Sequence, residues 1–475
     1  MEQKNLSRKQ FSIDLLLVLL SNLITLAGSI VSGMLIPKIM GVEEFSYYNI
    51  YTLYLTYTSL LHFGFVDGIL LKFAGRDYSS LVGERFRAYS RFYIRFQSVT
   101  AALLIAAALL FLPPSHKLVF VFIGLNMLSL NIISYYQYIS QDTMRFKELS
   151  ARKVLQALLK IILAFALWYM VRSGRMESGI ANVYIIGVII IDFLLMFWYI
   201  YTYRDITFGK SDSLAEAREE IFSLFREGIF LTLSYWISNL IYVLDKQFVS
   251  LFFDSTVYGI YSFANKLIAT ASGFVLAVSL VLFPRLKRLT VDRILETFPS
   301  AMAAISAVSC AALIFYEPLC VIIRRFLSEY TGSVIYLRIL FPGLVFMCCI
   351  NIIISTYFNA LGRQRIFFLL CCIVLVCAVG LNSAACFAFK DPAMISAALI
   401  ISLLLLYLLG VGYFARRFNV SWIRNTLYII IMTAVYYLTS FLMPSALMSF
   451  AVYAAVYIIV TALFYFRQLK KFIRP

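Results

Sequence analysis

Along the chain, apolar residues come in runs of about 18 to 25 positions, and short polar stretches that hold most of the charge separate them. Wound as a helix, a run of that length crosses the roughly 30 Å hydrocarbon core of a bilayer. Fourteen such runs can be marked, the first centred near Ile24 and the last near Tyr457. The predicted fold class is therefore all-α, a polytopic membrane protein of about 14 transmembrane helices. No stretch is left over for a soluble domain. Composition says the same: 62% of the 475 residues are hydrophobic and 14% charged, with mean hydropathy +0.88, where a soluble domain carries about a quarter charged residues. Lys4, Arg8 and Lys9 precede the first run, as in a signal peptide. That run is too long, has no A-x-A site and is followed by thirteen more, so it is expected to be a span.

The formal net charge of +17 invites a nucleic-acid reading, which its placement removes. Most of the 41 Lys and Arg fall at the termini and in the even-numbered connections, in groups such as Arg85, Arg87 and Arg91, or Arg145, Lys147 and Arg152. This is the positive-inside bias, so both termini and these connections are expected in the cytoplasm. The lipid bilayer is the expected partner, and no nucleic acid is. The eight cysteines lie between Cys310 and Cys386, in or beside apolar runs, and the two histidines, His62 and His116, are far from them in sequence. No metal site or other cofactor is expected.

The expected domains are a six-helix lobe over residues 1–204, a cytoplasmic amphipathic linker at 205–227, a second six-helix lobe at 228–415, and two additional helices at 416–475. Within the linker, Ser213 to Arg226 carries a charged face and the apolar set Ile221, Phe222, Leu224 and Phe225. It is either an interfacial helix or an extension of the seventh span. A weak repeat relates the lobes: Glu43-Glu-Phe-Ser-Tyr-Tyr-Asn-Ile50 and Thr256-Val-Tyr-Gly-Ile-Tyr-Ser-Phe263 occupy the same place, after the first span of each. Six spans per lobe makes the halves parallel, an arrangement that suits a transporter.

Candidate chemistry lies in charges buried in apolar runs, since one at mid-bilayer costs about 2.5–3.5 kcal/mol or more unless paired or used. Asp245 and Lys246 interrupt the seventh run and Lys266 the eighth, at similar depth if the two are antiparallel. Asp245 is expected to neutralise Lys266 while Lys246 meets an anionic substrate; a buried structural network of all three is the alternative. Asn239, Tyr242, Tyr261 and Asn265 cluster with them at helical spacing as further substrate-binding candidates. In the first lobe, Asn22 and His62 are candidates for the same cavity. Asp67, in Gly64-Phe-Val-Asp-Gly68, is the candidate for coupling to an ion. Lys160 and Asp192 are expected to form a structural pair, and Gly28, Ser29, Ser32 and Gly33 to report close helix packing.

Arg226-Glu-Gly228, Asp245-Lys246, Tyr258-Gly-Ile-Tyr-Ser-Phe-Ala-Asn-Lys266 and Pro284 together, with Asn22 and Pro37-Lys-Ile-Met-Gly-Val-Glu-Glu-Phe45 in the first lobe, resemble the Wzx-type polysaccharide flippases. Those belong to the multidrug/oligosaccharidyl-lipid/polysaccharide exporter superfamily. The resemblance implies two six-helix lobes in a MATE-like V plus two C-terminal helices, in the cell membrane of a bacterium. It implies a flippase, not an enzyme, that carries undecaprenyl-diphosphate-linked oligosaccharide from the cytoplasmic to the outer leaflet by alternating access through a cationic central cavity. Partners so implied are the lipid-linked oligosaccharide, a coupling proton or sodium ion, and other polysaccharide-assembly proteins. Members of the family often carry Arg at the position of Lys246; Lys keeps the charge but not the bidentate fork. A drug or metabolite/cation antiporter of the same superfamily is the alternative. A membrane polysaccharide polymerase or glycosyltransferase is a weaker one, because the expected outer loops, such as Pro113 to Lys117, are short.

Overall fold

The computed structural model describes the backbone of residues 8–286 and 290–473 and the side chains of residues 20–272 and 290–465. Pro284 and the cations Lys4, Arg8 and Lys9 lie outside the described side chains. Every regular element among the described residues is helical. The chain divides into two compact units, Met1–Trp236 and Ile237–Pro475.

The first unit contains α1 (Arg8–Tyr57), α2 (Phe65–Phe73), α3 (Glu84–Phe111), α4 (Pro114–Asp142), α5 (Phe146–Arg172), α6 (Ile180–Thr202) and most of α7 (Leu214–Ile241). α1 is two helices joined at Gly41, whose φ of 67° and ψ of 177° break the helical run; only glycine takes such a conformation at little cost. The second arm opens with Glu44, whose two carboxylate oxygens accept from the amides of Gly179 and Ala181 at 2.7 and 2.6 Å. It thereby satisfies amides at the start of α6 that no intrahelical acceptor can reach. Gly28 lets α1 close onto Ile161 and Ala157 of α5.

Aromatic rings fill the core of this unit. Phe65, Tyr93 and Tyr135 stack in sequence at 5.1 and 5.0 Å, and Tyr136 stacks on Tyr203 at 5.4 Å. Three of these buried phenols pair with hydroxyls, as a buried polar group requires: Tyr135 with Ser90, Tyr136 with Thr207 and Tyr203 with Ser140, at 2.7 to 2.9 Å. The loop after α6 is held by arginines. Arg87 donates to the carbonyls of Asp205 and Lys210 at 2.8 and 3.1 Å. Arg91 donates to those of Thr207 and Gly209 and to Ser211. α7 starts at Leu214, inside the 205–227 segment, and runs unbroken to Ile241. Of the two readings offered for this segment, the continuous helix is the one observed.

The second unit contains α8 (Leu244–Phe252), α9 (Ser255–Leu286), α10 (Val291–Ala312), α11 (Tyr316–Phe326), α12 (Ser333–Leu340), α13 (Gly343–Cys348), α14 (Ser355–Ala360), α15 (Gln364–Ala384), α16 (Pro392–Phe418), α17 (Ile423–Leu442) and α18 (Ala446–Ile473). Asp391 caps α16 by accepting from the Ala393 amide at 2.8 Å, with Pro392 at the first helical position. Tyrosines bind the last two helices to the rest. Tyr453 donates to the Cys310 carbonyl at 2.8 Å, and Tyr436 and Tyr437 donate to the carbonyls of Arg338 and Ile339 at 3.1 and 2.8 Å. All eight cysteines are free.

Among the described residues, eleven helical segments are long and apolar enough to cross a membrane, or twelve if the bent pair α7 and α8 is one span. The expected number was fourteen. The two expected spans of α1, joined at the Gly41 kink, are counted as one segment, and α9, the eighth expected span, is not among the segments counted. Many of the most exposed side chains on these helices are apolar, Leu110, Phe111 and Leu463 being at least three-quarters exposed. That is how a surface facing hydrocarbon differs from one facing water.

Candidate functional site

The adjacent charges Asp245 and Lys246 lie where the helix breaks. α7 ends at Ile241, α8 starts at Leu244, and the two are bent by 60°. Local 3₁₀-type bonds, Tyr242 N–H to Asn239 C=O at 3.0 Å and Val243 N–H to Leu240 C=O at 3.1 Å, close the first helix. Asp245 then falls in the first turn of α8, where the unpaired amides of a helix start favour a carboxylate. It is 1% exposed, and its Oδ2 accepts from the Tyr261 hydroxyl of α9 at 2.7 Å. Its Oδ1 has no hydrogen-bond partner among the described residues.

Lys246, one residue on, lines a cavity of about 200 Å³ within the second unit. Tyr242 and Asn265 join it as polar lining, while Leu340, Met347 and Leu403 are among the apolar wall. Lys266 follows the cavity-lining Asn265 on α9. Tyr242 reaches away from the break to donate to Asn351 at 3.2 Å. Asn351 lies in a π-helical turn, Cys349–Ile354, a local distortion of the kind often found at functional positions. Asn351 was not singled out in the sequence, because a lone amide in an apolar run carries no spacing signal. A liquid water occupies about 30 Å³, so this cavity takes a few waters or one phosphate-sized group. It is too small for an oligosaccharide.

The structure thus brings Tyr242, Lys246 and Asn265 to one cavity and Tyr261 to Asp245. Asn239 is exposed on the last turns of α7. The other candidates are in the first unit.

There the second expected span breaks at residues 58–64. A 3₁₀ turn, Thr58–His62, leads to Phe63 and Gly64, both with positive φ, and then to α2. Side chains from other helices take up the carbonyls this exposes. Gln97 donates to Leu61 C=O at 3.1 Å, and Asn131 donates to Thr58 C=O at 3.3 Å and to Gln97 Oε1 at 2.9 Å. Asp67, 3% exposed, lies in the first turn of α2. Its Oδ2 accepts from Thr232 of α7 and lies 3.9 Å from His62 Nε2. Around it α2 and α7 touch backbone to backbone: a Cβ on Gly64 would collide with Ile229, one on Gly68 with Leu224, and one on Gly228 with Gly64. Thr232 was missed, although it follows Gly228 by one helical turn and so shares its face.

Lys160 Nζ is 3.2 Å from Asp192 Oδ1, which also accepts from Gln156 at 2.8 Å. Asn22 is half-buried on α1. Near the ends of α5 and α6, the Arg145 guanidinium lies over Tyr78 and Tyr203 at 4.4 and 5.0 Å, and that of Arg152 over Tyr199 at 4.2 Å. Such stacking is favourable for a desolvated cation. Tyr78 in turn donates to Asp205 at 2.5 Å; burial, and then this carboxylate, push its phenol pKa up.

Helical spans with broken segments at polar residues define a membrane-transporter fold, and solved structures share it. The lipid II flippase MurJ in an inward closed conformation superposes with a TM-score of 0.71 over 96% of this chain and 99% of its own, at 14% identity. An inward-facing multidrug resistance MATE transporter of the MOP superfamily gives 0.57 over 87% and 96%, at 13% identity. A MOP superfamily transporter from Pyrococcus furiosus gives 0.55 over 88% and 96%, at 11% identity. Residues 9–290 match the family described as polysaccharide biosynthesis protein, and the chain belongs to it. No curated protein matches the sequence.

Proposed function

We propose that this protein flips an undecaprenyl-diphosphate-linked oligosaccharide from the cytoplasmic to the outer leaflet of a bacterial cell membrane. The observation that carries the reading is Lys246, a cation held beside a helix break on the wall of a cavity that takes a phosphate-sized group. Burying a lysine there is costly as mere structure; a diphosphate would reward it. Lys266 adds a second positive charge, and Tyr242 and Asn265 offer hydrogen bonds to phosphate or sugar. Membership of the polysaccharide biosynthesis family and the fold shared with a lipid II flippase support this cargo class.

The physical need for a protein is large. Each sugar hydroxyl moved unpaired into hydrocarbon costs about 4–8 kcal/mol, so several sugars and a diphosphate do not cross unaided. In this reading the headgroup passes by alternating access through a cationic cavity that enlarges from the one observed, while the lipid tail stays in the bilayer. Coupling to a proton or sodium ion is assigned to Asp67, the buried carboxylate at the other helix break. Flipping involves no covalent step, so the protein acts as a transporter and not as an enzyme. The domains in this reading are the lobes 1–204 and 228–415, the connection 205–227 and an added pair of helices at 416–475.

The test is a flipping assay in proteoliposomes with defined lipid-linked oligosaccharides. Wild-type protein should move the cargo, and Lys246→Ala with Lys266→Ala should abolish movement while the protein stays folded. Full activity of the double variant would refute the reading.

A further inference from the structure

His62 and Asp67 together carry an inference that rests on, and deepens, the assignment of Asp67 as the coupling site. We propose that the coupled ion is a proton, bound at the Asp67 carboxylate beside a permanently neutral His62, and that it controls the seam between α2 and α7.

The tautomer follows from the helix break. The Gly64 N–H donates to His62 Nδ1 at 3.2 Å, so Nδ1 is an acceptor and the ring proton is on Nε2. Nε2 is the atom 3.9 Å from Asp67 Oδ2. A second proton on the imidazole would have to displace the Gly64 amide, whose position the left-handed Gly64 fixes at φ 88°. A proton entering the pair therefore goes to the carboxylate, and His62 stays a neutral N–H dipole 3.9 Å from it.

The same geometry selects against a metal cation. Sodium, like other hard cations, needs several oxygen ligands. Here Oδ2 already accepts from Thr232 and lies 3.9 Å from the His62 ring nitrogen that carries the proton, donors that compete with a metal cation for its lone pairs. Among the described residues, the phenols Tyr93 of α3, Tyr138 of α4 and Tyr235 of α7 lie within electrostatic reach of Asp67. Within salt-bridge distance, His62 is its one basic partner among the described residues.

Proton binding is transmitted through Thr232. The Thr232 hydroxyl has two acceptors in reach, Asp67 Oδ2 and the Gly228 carbonyl of its own helix at 3.2 Å, and one proton to give. A carboxylate is roughly twice as strong an acceptor as a neutral oxygen. Ionised Asp67 therefore draws the hydroxyl across to α2, and protonated Asp67 releases it to Gly228. The crossing at Gly64, Gly68 and Gly228 is backbone against backbone; elsewhere along the seam Phe65 packs on Phe225 and Lys72 pairs with Glu220 at 3.6 Å, contacts that do not involve Asp67. Acid should loosen the seam and base should close it.

Two readouts on the full-length protein in lipid nanodiscs test this, and neither needs a transported substrate. Infrared spectra recorded through a titration from acid to alkaline pH should show a protonated-carboxyl band that disappears in Asp67→Asn. In His62→Asn its midpoint should move by about half a pH unit or more, roughly a three-fold change in proton affinity. With the native cysteines replaced, nitroxides at Leu71 of α2 and Phe222 of α7, both exposed, should move apart on acidification in wild type and stay at a pH-independent distance in Asp67→Asn. A band that survives in Asp67→Asn, a distance change equal in both proteins, or no titration in wild type would overturn the proposal. If Asp67→Asn does not fold, an unmoved midpoint in His62→Asn overturns it alone. Intact titration in a protein that flips nothing would instead sink the flippase reading and leave this one standing.

Discussion

The Tyr261 hydroxyl of α9 donates to Asp245 Oδ2 of α8 at 2.7 Å, and this bond joins the two helices that follow the break in the second unit. Tyr261→Phe removes the donor and leaves the carboxylate buried. The expected loss is about 1.5–3 kcal/mol, the range for a hydrogen bond to a charged group, seen as a lower unfolding temperature in detergent. Asp245→Asn should make the same substitution less costly, so a double-mutant cycle is expected to be non-additive.

Lys246→Arg is expected to retain flipping and Lys246→Ala to lose it, measured as initial rate in proteoliposomes. Arginine keeps the charge and adds the bidentate geometry that suits a phosphate. Failure of Arg together with normal activity of Ala would show that the cavity does not use a cation.

The crossing of α2 and α7 predicts a contrast among glycines. Gly228→Ala drives a methyl into Gly64 C=O, whereas Gly380 and Gly412 have open space where a Cβ would stand. Gly228→Ala should strongly reduce the yield of monodisperse protein. Gly380→Ala should leave it unchanged or raise stability by about 0.5–1 kcal/mol, the helical advantage of alanine over glycine. Size-exclusion profiles and thermal melts of the two variants make the comparison.

For Lys160 and Asp192, the sign of the effect depends on what is removed. Lys160→Met alone leaves a carboxylate 1% exposed with Gln156 as its remaining donor, at an expected cost of about 3–5 kcal/mol. The pair Lys160→Met with Asp192→Leu should recover much of that loss, because apolar replacement of both ions is often neutral. Melting temperatures of the three proteins decide it.

The helical fold was legible because each apolar run is long enough to be read without any knowledge of its neighbours. The breaks were less so. Asp245 and Lys246 were found because charge in an apolar run is conspicuous, but the bend at Tyr242 and Val243 involves neither Gly nor Pro and leaves no mark in the sequence. Gly64 and Gly68 were visible as weak points of a helix, yet their partners Leu224 and Gly228 lie more than 150 residues away, and only packing joins them. Gln97 and Asn131 were invisible for the same reason: an amide that repairs another helix's exposed carbonyls looks like any polar residue. Arg87 and Arg91 were counted as topology marks and prove also to bind a loop.

That arginine clamp grips mostly main-chain oxygens, those of Asp205, Thr207, Gly209 and Lys210. Carbonyls are the same whatever side chain they carry, so this part of the grip fixes the length of the connection, while the side chains of Asp205, Thr207 and Ser211 are held by their own bonds. Deleting one residue would leave the guanidinium groups facing the wrong oxygens.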